Sequence, residues 1–167
     1  MPIILARIDD RLIHGQVIVG WARVLEIQHI LVVSDAIAGD AKQQALFKMA
    51  VPPTLKVSVA AVAEAAAWLQ APGAVSEKLM LLFPSVREAA GLIERGYPIQ
   101  SLNIGGLRFE EGKRQVLKSV SLSDEDIAIF RRLAQRGVAL EVRAAFNDEK
   151  TALGPYLADD RSDKKAF

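Results

Sequence analysis

Short apolar runs alternate along the chain with stretches whose apolar residues recur at helical spacing, a pattern that predicts a parallel α/β sheet. Strands are predicted over 3–8, 30–33, 56–59, 79–83, 99–104, 116–122 and 139–144. The first, second and fourth are apolar at nearly every position, as strands are when helices cover both sheet faces. Val17, Trp21 and Val24 recur at i, i+4 and i+7 and predict one buried helical stripe. Asp40 can cap a helix carrying Leu46, Phe47 and Ala50, which Pro52 and Pro53 end. Val62, Ala65, Ala66 and Leu69 form another apolar face, its alanines suited to close packing on a sheet. Ser85 and Glu88 have capping-box spacing ahead of Leu92 and Ile93, and Gly96 stands at that helix's end. Ser123 starts the last helix, with Ile127, Phe130 and Ala134 expected inward and Gly137 closing it. The expected fold is α/β: an open doubly wound, mostly parallel sheet of about six or seven strands, with helices on both faces.

Composition narrows the function classes. At 167 residues and 51% hydrophobic, the chain suffices for one domain and is short for two. No linker, repeat or low-complexity block interrupts it, so one domain over 1–167 is expected, with a charged tail frayed after about 158. A net charge of +1 indicates no broad attraction to nucleic acid or anionic lipid. Cysteine is absent, which fits a reducing compartment. No apolar run approaches the ~18 residues of a membrane span, and the first residues lack the basic region of a secretory signal. A cytoplasmic protein is expected.

The chemistry gathers where the first strand stops. Asp9 and Asp10 end the apolar run, Arg11 and His14 follow three residues apart, and Gly15 precedes a helical pattern. In a parallel α/β unit this turn lies at the strand's carboxyl end, where such folds bind ligands, and the first strand is the expected switch point. A helix start there would favour an anion. A histidine, an arginine and a helix start together can hold a phosphoryl group on an imidazole. Taken singly, the same residues fit turn-forming aspartates and a structural histidine. Gly15 fits either close backbone approach to a ligand or a permissive helix start. Asn103, Gly105 and Gly106 fit either a phosphate- or partner-facing loop or a tight turn into the next strand. Ser85 reads as an N-cap and His29, at the start of a strand, as structural. No metal-ligand spacing, nucleotide-binding glycine loop or serine-hydrolase motif is present, so neither metal nor cofactor is expected.

The segment Arg7-Ile-Asp-Asp-Arg-Leu-Ile-His14-Gly-Gln-Val resembles the N-terminal signature of a bacterial family. That family is the IIB component of the mannose/fructose/sorbose branch of the sugar phosphotransferase system. The resemblance continues in Val32-Val33-Ser34-Asp35, in Asn103-Ile-Gly-Gly106, from Val120 to Asp126, and at Gly137-Val138. It implies a phosphocarrier in which His14 takes a phosphoryl group on Nδ1 and Arg11 neutralises the phosphoryl oxygens. One of Asp9 and Asp10 would orient Arg11 or the imidazole, and the other would cap. Gly15, Asn103, Gly105 and Gly106 would complete the crevice. The implied partners are a IIA phosphocarrier as donor and a membrane IIC/IID permease holding the acceptor sugar, with the carrier peripheral to the membrane. A regulatory protein-binding module that keeps the phosphorylatable histidine is the alternative. Two departures touch the crevice rim: Arg143 is followed by Ala144-Ala145-Phe146 where the family has a Gln-Val-Pro-like segment, and Pro84 comes earlier than the family's proline.

Overall fold

The computed structural model describes residues 3–158, so the tail expected to fray lies outside the described residues. Its strands are β1 (Ile3–Asp9), β2 (His29–Val33), β3 (Lys56–Ala60), β4 (Leu79–Phe83) and β5 (Ser101–Gly106). After them come β6 (Arg114–Leu117), β7 (Val120–Leu122), β8 (Ala139–Val142) and β9 (Thr151–Ala152). The helices are α1 (Asp35–Ala38), α2 (Ala41–Ala50), α3 (Val62–Gln70), α4 (Val86–Glu94) and α5 (Asp124–Gln135). A π-helix spans Gln16–Ala22 and a 3₁₀ turn spans Gly154–Leu157.

Seven strands form one sheet in the order β3-β2-β4-β1-β5-β8-β9, parallel throughout except for β9, which lies antiparallel on the edge. Alternation along the strands divides the core in two. Ala6, Ile8, Leu81, Phe83, Leu102 and Ile104 face α3, α4 and α5 on one side. Ile30, Val32, Met80 and Leu82 face the π-helix and α2 on the other. Helices therefore cover both faces, as expected of a doubly wound sheet. The connection after β1 leads toward β2 and the connection after β5 leads toward β8, so the strand order reverses between these neighbours. Ligands bind outside the carboxyl ends of strands at such a reversal.

Several expectations need correction. The predicted strand over 116–122 is a hairpin, β6 and β7, in a separate two-stranded sheet. Its turn lies at Lys118-Ser119, which lacks the glycine or asparagine that marks tight hairpins. The helix after the site follows the i→i+5 pattern, with Arg23 N–H on Ile18 O at 3.0 Å. It ends at Ala22, so Val17 and Trp21 are buried while Val24 is half exposed. Leu46 and Ala50 also face solvent, leaving Phe47 as the buried residue of α2. In α5, Leu133 rather than Ala134 turns inward. The stretch after β2 is a short helix capped by Ser34 rather than a loop. Ser85 does cap α4, accepting the Arg87 N–H, but its hydroxyl donates to the Glu88 carboxylate in place of the reciprocal capping-box bond. The segment Asn103-Ile-Gly-Gly is neither loop nor turn; it belongs to β5 itself.

Candidate functional site

Asp9, the last residue of β1, is the hub of the site. Its carboxylate is fully buried and accepts four hydrogen bonds. Oδ2 receives Arg7 Nη2 at 3.1 Å and His14 Nε2 at 3.1 Å. Oδ1 receives the Arg11 backbone N–H at 3.1 Å and Arg11 Nε at 3.4 Å. A carboxylate offers about four acceptor positions, so Asp9 is saturated. Burial would raise its pKa. The bond from His14, the charges of Arg7 and His14, and the Arg11 N–H outweigh that effect and hold it below the usual carboxylate range. Asp9 is thus ionised at neutral pH and can only accept. His14 Nε2 must then be the nitrogen that carries hydrogen, and the neutral ring's lone pair lies on Nδ1.

The loop is shaped by its own backbone. Leu12 takes a left-handed conformation at φ +57°, which costs a branched side chain about 1–2 kcal/mol. Burial of its side chain in the second core offsets that cost. Leu12 N–H closes on Asp9 O at 3.0 Å, and Ile18 N–H on His14 O at 3.0 Å. The turn therefore presents His14 with its side chain 17% exposed and Arg11 with 51%. The helix that begins here is a seven-residue π-helix.

Each residue singled out in the sequence has a definite place. Asp10 is not a helix cap: its Oδ2 accepts Arg108 N–H at 2.8 Å and Arg108 Nε at 3.3 Å, tying the His14 loop to the segment after β5. Gly106 lies opposite Asp9 in the β1–β5 register and, with Arg11, lines a cleft of about 390 Å³ that also takes in Arg108 and Lys118. Gly15 lines a second cleft of about 570 Å³, beside Val19 and Phe146. A Cβ on Gly15 would meet nothing within 4 Å, so packing within the chain does not require glycine there. Asn103 and Gly105 lie below the surface, under Arg7. Asn103 is buried and accepts Arg7 Nη1 at 2.5 Å. A Cβ on Gly105 would stand 1.9 Å from Arg7 Nη2, which explains why a glycine occupies mid-strand. His29 lies apart, buried against Ser58 at 2.5 Å and Trp68, with burial and Lys56 lowering its pKa despite Glu77. Among the described residues, no group of three or more His, Cys, Asp or Glu side chains converges as a metal site.

Arg7 is the residue that sequence reasoning missed. It is fully buried at the centre of β1 and contacts Asp9, Asn103, the carbonyls of Arg143 and Ala144, and the face of Trp21. A signal was present. Arg7 interrupts an apolar strand two residues before Asp9, and residues two apart share one sheet face.

A family model described as the PTS system sorbose subfamily IIB component matches residues 3–166. The sorbose-specific EIIB component of Lacticaseibacillus casei is 43% identical over 148 residues, covering 89% of this chain and 90% of that protein. The mannose-specific EIIAB component of Escherichia coli K12 is 41% identical over 150 residues, covering 90% of this chain and 46% of that longer protein. Among solved structures, the IIBSor domain of the sorbose permease from Klebsiella pneumoniae superposes with a TM-score of 0.88 at 37% identity, covering 94% of this chain and 96% of that one. The two relatives carry different sugar names at nearly equal identity, so the likeness carries the family and not the sugar.

Proposed function

The chain belongs to the sorbose subfamily of phosphotransferase-system IIB components, a phosphoryl-transfer family, and from that premise we propose a two-step role for it. It accepts a phosphoryl group from a IIA phosphohistidine onto His14, then passes it to a sugar held by membrane IIC and IID partners. The observation that carries this reading is the His14–Asp9 bond at 3.1 Å, which commits Nε2 and frees Nδ1. In the first step the Nδ1 lone pair attacks phosphorus while the donor's P–N bond breaks, and the donor imidazole leaves with that electron pair. The ring of His14 gains positive charge, which the ionised Asp9 stabilises through Nε2–H. In the second step a sugar hydroxyl oxygen attacks phosphorus, the new P–N bond breaks, and the hydroxyl proton is released. Neither step needs more from the chain than position and charge.

Arg11 is the cation for the transferring group. Its Nε edge is turned to Asp9, so the Nη pair is left for the equatorial phosphoryl oxygens. Arg11→Lys should therefore slow transfer roughly tenfold although the charge is kept, because an ammonium does not reproduce the planar fork. Stopped-flow or rapid-quench transfer from phosphorylated IIA measures this. Unchanged kinetics would make Arg11 a solvated surface residue.

The donor assignment is supported by the E. coli relative, whose name joins the A and B components in one protein. No helix of the described residues is long and apolar enough to cross a membrane, which suits a cytoplasmic carrier working at the permease surface. The whole role is tested by loading the protein from phosphorylated IIA and adding membranes that contain IIC and IID. Sugar phosphate should form with loss of the protein label. A label that only water removes would favour a regulatory module.

A further inference from the structure

We propose that Arg7 is a positioning residue for phosphoryl transfer, holding Asp9 so that His14 presents Nδ1. The proposal rests on the reading of His14 as the phosphorylated residue. Arg7 Nη2 and His14 Nε2 meet on the same Asp9 oxygen, each at 3.1 Å. With the Arg11 N–H on the other oxygen, the carboxylate cannot turn without breaking a buried bond. The ring plane of His14 is fixed at second hand by Arg7.

Arg7 is itself fixed on several sides. Nη1 donates to Asn103 Oδ1 at 2.5 Å and to Arg143 O at 3.0 Å, and Nη2 also donates to Ala144 O at 2.9 Å. The guanidinium lies 4.7 Å from the centre of the Trp21 ring, and Trp21 Nε1 donates to the same Ala144 carbonyl. Gly105 leaves the space into which the guanidinium fits. One side chain therefore joins β1, β5, the π-helix and the segment after β8 to the acid that orients the nucleophile.

Fold stability does not account for it. A buried ion pair is seldom better than well-packed apolar side chains, and the β4 residue in register with Arg7 is the buried apolar Leu82. Arg7 Nε is buried without a hydrogen-bond partner among the described residues, an arrangement that native cores rarely keep without a use for it. That use is chemical. As phosphorus bonds to Nδ1 and the ring becomes cationic, a free carboxylate would draw the Nε2 proton. The neighbouring guanidinium keeps Asp9 ionised, so the proton stays on the ring and the phosphoryl group stays a reactive N-phosphoimidazolium.

The test uses the full chain with phosphorylated IIA as donor and two variants, Arg7→Lys and Gly105→Ala, the second of which displaces the guanidinium without removing it. Each is checked for folding by its amide NMR spectrum. Acceptance should slow by ~10–100-fold, the Michaelis constant for IIA should stay within about twofold, and end-point labelling should remain stoichiometric. Ring 15N shifts should show His14 almost wholly as the Nε2–H tautomer in the parent and as a mixture in the variants. A folded variant with parental rate and tautomer overturns the proposal. Failure of both variants to fold does so too, since Arg7 would then be a core residue only. Label that survives in His14→Ala would instead overturn the reading of His14 on which the proposal rests.

Discussion

A His14→Ala variant is expected to fold as the parent does and to accept no phosphoryl group. The ring is mostly covered at the end of the loop, but it belongs to neither apolar core cluster, so its removal leaves the cores intact. The main loss is one of four hydrogen bonds to Asp9, and the stability change should not exceed about 1–2 kcal/mol. Chemically the loss is complete, because no other group in the loop is a nitrogen nucleophile. The second histidine makes the contrast. His29 is buried at the start of β2 on the Ser58 hydroxyl, and its lowered pKa marks a ring kept neutral by the core. His29→Ala should cost stability yet still be labelled by phosphorylated IIA at close to the parental rate. The label should be acid-labile and base-stable, as a phosphohistidine is. Electrophoresis of acid- and base-treated labelled protein, with both variants side by side, reads all of this.

Asp9→Asn should damage both fold and chemistry. An asparagine brings two donors to a place where Arg7, Arg11 and His14 already donate, and it leaves the buried Arg7 charge without its partner. Removing one member of a buried pair costs about 3–5 kcal/mol, a large share of a typical domain's stability of about 5–15 kcal/mol. Transfer should fall by roughly 10²–10⁴-fold, because an amide no longer selects the productive ring tautomer. The pH dependence has a definite sign. The Asp9 pKa is lowered on folding, so its contribution is fully present above the ordinary carboxylate range. It is lost as pH falls through the depressed native value. The gap between parent and variant in urea midpoint should therefore be wide at about pH 7 and narrow toward about pH 3. An equal gap at both pH values would show that Asp9 is not the ionised hub described above.

What could be read from the sequence was local. The run Leu79–Phe83 is a strand at the predicted limits, because five apolar residues bounded by Lys78 and Pro84 admit little else. Ser123 caps α5, and Gly96 and Gly137 close α4 and α5 at φ +91° and +87°, since each needs only its neighbours. The His14 loop showed itself through its position after an apolar strand, and the family resemblance supplied the chemistry that position alone left open. What stayed hidden depends on pairing across the sheet. Arg7 sits close to Asp9 in sequence, but most of what holds it, Asn103 and the 143–144 carbonyls, lies about 96 to 137 residues away in the chain. Gly105 is explained only by Arg7. The choice between Asp9 and Asp10 turned on Arg108, which reaches Asp10 from beyond β5. The β6–β7 hairpin escaped notice because its turn, Lys118-Ser119, carries neither glycine nor asparagine to break the run from Val116 to Leu122. The edge strand β9 is two residues long and, among the described residues, pairs with β8 alone.

His14 as proposed is a phosphocarrier whose Nδ1 is freed by the bond between Nε2 and Asp9. Heteronuclear NMR on uniformly 15N-labelled protein, phosphorylated by IIA, correlates phosphorus with the ring nitrogen that bears it. One phosphorus signal coupled to Nδ1 of His14 is expected, with Nε2 still bearing hydrogen. Coupling to Nε2, a signal at His29, or phosphorus bound to oxygen would contradict it.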